Sequence, residues 1–251
     1  MAEKAEKEVN IKLIAIDMDG TLLNKEHQIS NENRNAIKAA QDQGIHVVIS
    51  TGRTRMTLDP LIENLSLNSY LITVNGSEVW DDSLELIERK TLDSDLVEYM
   101  WRLKEKHQTY CWAASVDNVW REVFPAEDIH SHEWMKFGFD IEDDRIRELI
   151  YEDLSKLGTL EITNSSPTNL EINAIGVNKA KAIEFVCHKL GFTLENVMAI
   201  GDSINDLAMI QEARMGVAMG NAQEVVKEAA NWISSSHEED GVAKAIQTWC
   251  L

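Results

Sequence analysis

The stretch Ile11–Leu23, IKLIAIDMDGTLL, limits what this chain can fold into more than any other. A mostly apolar, isoleucine-rich run leads directly into Asp17, Met18, Asp19, Gly20 and Thr21. A run of that length, bounded by glycine and polar residues, reads as a buried strand of a parallel sheet. Open α/β sheets bind their ligands beyond the C-terminal ends of the strands, and that is where the two carboxylates stand. Carboxylates so close raise each other's pKa unless a cation lies between them. A hard divalent cation meets that demand, and Mg²⁺ characteristically takes one or two carboxylates together with substrate phosphate. Taken alone, D-x-D-G reads at least as readily as a capped turn in which either aspartate bonds local amides.

The same rhythm continues downstream. Ser30 caps a helix running through Asn33, Ile37 and Ala40 to Gln43, closed by Gly44. Ile45–Ser50 reads as a second buried strand tipped by Thr51-Gly52-Arg53. A helix over about Thr54–Leu65 and a third strand, Tyr70–Val74, follow, ending in Asn75-Gly76. This βαβαβ order implies a parallel, doubly wound sheet.

The alternation then stops. After a hairpin over Ser77–Lys90 that turns at Asp81-Asp82, the sequence mixes helices and short strands. It gives a helix over about Asp93–His107, strand-like TYCWAA and NVWREVF, and a polar segment carrying histidines. An acidic helix around Asp144–Leu154 and strands near Thr159–Thr163 and Leu170–Asn173 complete it. The mixture predicts an inserted α+β domain, residues 82–172, within a core built from residues 1–81 and 173–251. From Asn178 the first rhythm returns with a helix to Leu190 and a strand, Val197–Ile200, tipped by Gly201-Asp202-Ser203. A helix from about Asn205, a strand Gly216–Met219, a helix Ala222–Ala230, a strand Trp232–Ser234 and a helix from Asp240 end the chain.

Charge narrows the partners. The net charge of −19 repels nucleic acid and anionic membranes, so any phosphate site must be built locally from cationic side chains, amides and metal. Three scattered cysteines, Cys111, Cys187 and Cys250, fit a reducing compartment better than a disulfide scaffold. The N-terminus MAEKAEKEVN lacks an apolar signal core, and no run approaches a membrane span. A cytoplasmic protein is the expectation.

Four groups now stand at strand ends or helix starts: Asp17 with Asp19, Thr51, Lys179, and Asp202 with Asp206. In order, DMDGTLL, STGR, GVNKAKAI and GDSINDLAMI resemble the four motifs of the haloacid dehalogenase superfamily. The tail from Ala218 to Ile246 resembles the Cof-type, class IIB branch. That resemblance implies a Rossmann-like core with an inserted cap, and a Mg²⁺-dependent phosphatase working through an aspartyl-phosphate. Asp17 is then the nucleophile, already ionised at neutral pH. Asp19 is the general acid to the leaving alkoxide and then the base toward water. The dehalogenases of the family lack an acid there.

By the same resemblance Thr51, Gly52 and Lys179 hold the phosphate. Ser50 rivals Thr51 for the hydroxyl, but the pattern favours the residue before Gly52. Lysine near a helix N-terminus is unfavourable to the dipole, which also argues for function at Lys179. Ala180 stands where the family usually has glycine, which bears on close packing rather than charge. The implied Mg²⁺ ligands are the Asp17 carboxylate, the Asp19 carbonyl and Asp202, with Asn205 and Asp206 supporting the metal loop. Arg53 and Asn75 face the substrate by the family pattern, and Asn221 lies near the metal loop; Asn75-Gly76 is otherwise a turn signal and Asn221 a helix cap.

In that family the insert is a cap that covers the active site and supplies specificity, which the resemblance implies here. Trp101, Trp112, Trp120 and Trp134 lie inside it and Trp80 at its start. They serve either as its core, as the helical spacing of Trp101 favours, or as an aromatic surface for a flat substrate. His130 and His132 receive no role. The expected partner is a small phosphorylated metabolite: a sugar phosphate, the phosphorylated riboflavin precursor, FMN or a pyridoxal phosphate. The chain is expected to be a monomer or homodimer. A sugar phosphomutase and a binding protein without catalysis are the alternatives.

Overall fold

The computed structural model describes residues 10–62, 65, 69–121 and 123–251. The charged N-terminal segment and residues 63–64 of the helix expected to reach Leu65 lie outside the described residues.

In chain order the first half-core comprises β1 (Leu13–Ile16), α1 (Asn31–Asp42), β2 (His46–Ser50), α2 (Arg55–Ile62), β3 (Leu71–Thr73), β4 (Glu78–Trp80) and β5 (Leu86–Arg89). The insert holds α3 (Ser94–His107), β6 (Tyr110–Ser115), β7 (Val119–Trp120), β8 (Trp134–Asp140), α4 (Asp144–Ser155), β9 (Leu160–Thr163) and β10 (Asn169–Ala174). The second half-core adds α5 (Lys179–Leu190), β11 (Val197–Gly201), α6 (Leu207–Glu212), β12 (Met215–Ala218), α7 (Glu224–Ala229), β13 (Trp232–Ile233) and α8 (Gly241–Trp249).

One eight-stranded sheet runs β13-β12-β11-β1-β2-β3-β4-β5, parallel through β3 and antiparallel at β4 and β5. Both faces of its centre are buried. Ile14, Ile16, Val47 and Ile49 pack toward α1, α2 and α8, while Leu13, Ala15 and Val48 pack toward α5. That double burial is why these strands read as continuous apolar runs rather than alternating ones. The sheet grows outward from β1 in both directions, so the topological switch lies at the C-terminal end of β1, where Asp17 follows.

The expected hairpin forms, and both its strands belong to this large sheet. The chain therefore leaves the core sheet at Arg89 rather than at Asp82, and the insert's last strand runs to Ala174 rather than Ile172. The insert is a five-stranded antiparallel sheet ordered β7-β6-β8-β10-β9. Its apolar face (Phe137, Phe139, Leu170, Ile172) packs with Val97 and Met100 of α3 and Ile150 of α4. The central strand β8 is absent from the sequence reading, which passed from the histidine segment straight to α4. Strand register sets Trp112 opposite Gly138, Ala114 opposite Lys136, and Glu171 opposite Gly138 on the other side. These positions form the polar face, and residues from all three strands line the cavity against the core.

Candidate active site

The turn after β1 is held by the Met18 carbonyl, which accepts from the amides of Leu22 and Leu23 at 3.0 and 2.9 Å. Gly20 takes φ +81°, and a Cβ there would lie 2.6 Å from an Asp202 carboxylate oxygen. Glycine is therefore needed both for the turn and for the approach of the Asp202 loop. Thr21 Oγ1 donates to Asp202 Oδ1 at 3.0 Å, and Asn221 Nδ2 donates to the Gly20 carbonyl at 2.8 Å. Asn221 also accepts from the His237 amide, so it clamps the nucleophile loop to the C-terminal segment.

Lys179, the first residue of α5 behind the Asn178 cap, is wholly buried. Its Nζ donates to Asp17 Oδ1 at 2.5 Å and to Asp206 Oδ1 at 2.7 Å. The other Asp206 oxygen accepts from the amides of Asp202 and Ser203 at 2.9 and 3.1 Å. One carboxylate oxygen from each of Asp17, Asp202 and Asp206 lies within 4.8 Å of the other two. Burial, then Asp206, pushes Asp17 well above the usual carboxylate range, with Lys179 opposing and Asp202 adding to the rise. Burial and Asp206 push Asp202 up to about 7. Burial disfavours the Lys179 charge, yet Asp17 and Asp206 together raise it above its ordinary value. One ammonium thus bonds two buried acids, with the half-buried Asp202 beside them. With both Asp206 oxygens engaged, the excess negative charge falls on Asp17 and Asp202, a donor set that suits a hard oxygen-seeking cation.

At the tip of β2, Thr51 is buried and its hydroxyl accepts from the Arg53 amide at 3.2 Å. Ser50 is also buried, and its hydroxyl has no hydrogen-bond partner among the described residues. Arg53 forms a two-pronged pair with Asp19, Nε to Oδ2 and Nη2 to Oδ1, both at 2.6 Å. Asp19 is half-exposed at a cavity of about 410 Å³, so its acid group sits beside solvent while Asp17 sits behind it.

The cap closes that cavity with residues the sequence reading did not single out. Lys136 of β8 is 1% exposed, and its Nζ donates to Glu171 Oε2 at 2.6 Å and to the Gly52 carbonyl at 3.3 Å. Glu171 also accepts from Asn75 at 2.8 Å and from Ser165 at 2.7 Å. Asn75 therefore turns toward the cap, bonding Glu171 and, at 3.3 Å, Asn173, rather than lining the cavity as expected of a substrate contact. Asn205 lines the cavity and donates to Asn75 Oδ1 at 3.4 Å, so it supports the core–cap junction as well as the acid loop. A lysine between Met135 and Phe137, inside a run of aromatic and apolar residues, was the available signal for Lys136.

Burial works against the Glu171 charge, but Lys136, Asn75 and Ser165 hold its pKa below the usual glutamate value. A depressed acid stabilises the folded state above the unfolded pKa and loses that contribution as pH falls through the folded one. Glu171→Gln is accordingly expected to lower stability at pH 7 by about 2 kcal/mol, since a hydrogen bond to a charged group is exchanged for a neutral one. The difference from wild type should shrink below pH 4.5, the ordinary glutamate value. Urea unfolding at pH 7 and pH 4 measures both, and an equal gap at the two pH values would contradict the assignment.

The family model for haloacid dehalogenase-like hydrolases matches residues 14–134 and 120–246. A Bacillus subtilis 5-amino-6-(5-phospho-D-ribitylamino)uracil phosphatase, YcsE, is 62% identical over 245 residues, covering 98% of each chain. A haloacid dehalogenase-like hydrolase structure from B. subtilis superposes with TM-score 0.87 at 26% identity, covering 94% of this chain and 99% of its own. The subclass IIB sugar phosphatase BT4131 superposes with TM-score 0.83 at 28% identity, covering 94% and 98%. Among the described residues no helix is long and apolar enough to cross a membrane.

Proposed function

Because the chain belongs to the haloacid dehalogenase-like hydrolases and is a phosphatase of their subclass IIB, we propose that it hydrolyses 5-amino-6-(5-phospho-D-ribitylamino)uracil or a close analogue, through a phosphorylated Asp17 and with Mg²⁺. The observation that carries the chemistry is the meeting of Asp17, Lys179, Asp206 and Asp202 from opposite ends of the sequence around one buried point. The substrate rests on the 62% identity to YcsE over nearly the whole of both chains.

Each side chain has a task in this reading. Asp17 Oδ attacks phosphorus in line as the bond to the ribityl oxygen breaks. Asp19, released from Arg53 and protonated from the solvent beside it, gives that proton to the leaving oxygen, so the product leaves as a neutral alcohol. Asp19, now a carboxylate, takes a proton from water, and the oxygen of that water displaces Asp17 from phosphorus to release inorganic phosphate. Lys179 holds the attacking carboxylate in place and sets positive charge beside the transferring group. The Thr51 hydroxyl and the amides around Gly52 hold the phosphoryl oxygens. The carboxylates of Asp17 and Asp202 and the Asp19 carbonyl would hold Mg²⁺, which would supply positive charge to offset the repulsion between nucleophile and phosphate. The Arg53–Asp19 pair opens when Asp19 turns toward the leaving oxygen, which gives Arg53 a place against the substrate.

The test is phosphate release from 5-amino-6-(5-phospho-D-ribitylamino)uracil. Turnover is expected with Mg²⁺, with loss on EDTA treatment and recovery on adding MgCl₂. Faster turnover of hexose phosphates than of this ester would overturn the substrate, and full activity in EDTA would overturn the metal.

A further inference from the structure

Three of the four cap tryptophans pack against other aromatic rings of the cap, whereas the fourth, Trp112, has among the described residues only the Lys136 ammonium over its ring and a hydrogen bond to Asp140. Trp134 is fully buried and its Nε1 donates to the Ile129 carbonyl at 2.7 Å. Trp120 donates to Ser115 Oγ at 2.9 Å and packs edge-on to His132. Trp101 stacks on Phe124 with ring centroids 4.5 Å apart. Trp112 stacks on no aromatic ring among the described residues, is only partly buried, and lines the active-site cavity. Opposite it on β8 stands Gly138, where the indole occupies the place of a Cβ, so the ring lies down across the sheet instead of standing off it. A glycine facing a tryptophan in this way makes a shelf.

The position of the shelf fits the substrate's geometry. Lys136 Nζ lies 3.3 Å from the Gly52 carbonyl on the phosphate loop and 5.0 Å from the Trp112 ring centroid. Two short steps therefore separate the phosphate loop from the indole, a separation that a five-carbon polyol bridges. Around the shelf the cavity wall carries Asp140, which accepts from the Trp112 indole and keeps further lone pairs for a second donor, and Arg121, which donates. A neutral, flat ring with N–H donors and carbonyl acceptors matches a wall of that composition.

We propose that Trp112, laid over Gly138, is the specificity-determining surface on which the substrate's uracil ring stacks, with Asp140 and Arg121 at the ring's polar edge. This rests on the phosphatase reading above, and it gives the cap a reason to prefer a heteroaromatic ester over a plain sugar phosphate. Stacking a base on an aromatic side chain depends on the π face rather than on the ring's particular substituents. Phenylalanine should therefore substitute for Trp112 and leucine should not.

The experiment compares kcat/KM for 5-amino-6-(5-phospho-D-ribitylamino)uracil and for ribitol 5-phosphate, the same ester without its ring, on the Mg²⁺-loaded enzyme. Wild type is expected to prefer the ring-bearing ester. Trp112→Leu is expected to lower that preference roughly tenfold or more, through a KM that rises more for the ring-bearing ester than for ribitol 5-phosphate. Trp112→Phe should retain most of the preference. Gly138→Ala, which forces the indole off the sheet from the neighbouring strand, should reproduce the leucine variant. Retention of the preference in both Trp112→Leu and Gly138→Ala overturns the proposal, as does an equal fall on both esters, which marks a purely structural role. A wild-type enzyme indifferent to the ring instead overturns the substrate assignment, and the shelf with it.

Discussion

Asp17→Asn is expected to abolish phosphate release, with kcat at least about ten-thousand-fold below wild type, the scale on which loss of a covalent nucleophile is felt. The amide has the shape of the carboxylate but lacks the charge and lone-pair availability that attack phosphorus. The same change should leave the fold intact or firmer. Asp17 is an acid whose folded-state pKa is raised well above its ordinary value, chiefly by burial and then by Asp206. Such a group binds a proton more readily folded than unfolded, so its ionised form costs stability at neutral pH and the cost fades on acidification. A neutral asparagine removes that cost, and Lys179 keeps Asp206 as its partner at 2.7 Å. Metal-free Asp17→Asn should therefore melt at or above the wild-type temperature at pH 7, with the difference closing toward pH 4. Inactivity together with an undiminished Tm separates lost chemistry from lost structure. A variant retaining a tenth of wild-type kcat would remove Asp17 from the reaction.

That separation matters because the acids were the most legible part of the sequence and their arrangement the least. Each core strand is an apolar run ending in a short polar motif, and double burial makes such runs continuous, so β1, β2 and β11 could be read with their tips. What the sequence could not convey is that Lys179 joins Asp17 to Asp206, because no local pattern encodes a contact between residues so far apart. The cap was harder for a related reason. Its strand β8 alternates Lys136, Gly138 and Asp140 with Phe137 and Phe139, and a lysine there reads as surface until Glu171 on the neighbouring strand neutralises it. Likewise what sets Trp112 apart from the other cap tryptophans, Gly138 facing it across a strand pair, is a pairing that no local pattern shows. The expected domain boundary falls at the hairpin's turn, where the βα rhythm breaks, yet β4 pairs with β3 and β5 with β4, which keeps both strands in the core sheet. Asn75 carried a turn signal and a family role, and the structure ties its amide to cap side chains instead.

Lys179→Met tests the electrostatic design directly, because methionine keeps most of the buried aliphatic volume and deletes only the ammonium. Without it, Asp17, Asp202 and Asp206 share one buried space with no cation among the side chains that bond them. Removing one partner of a buried ion pair generally costs about 3–5 kcal/mol, because the remaining charge stays desolvated and uncompensated. A loss of that size is expected in urea unfolding of the metal-free variant at pH 7. Two dependences distinguish this cause from simple mispacking. Saturating MgCl₂ should recover part of the loss, since a divalent cation between Asp17 and Asp202 replaces the missing charge and binds only the folded form. Lowering the pH should also narrow the gap to wild type: Asp17 and Asp202, already raised by burial and by neighbouring carboxylates, are raised further without Lys179, so protonation relieves the variant first. A loss that responds to neither magnesium nor pH would be one of packing alone. A loss under about 1 kcal/mol would mean that the three carboxylates do not share the buried space that the proposed chemistry requires, given the size such a pair deletion normally has.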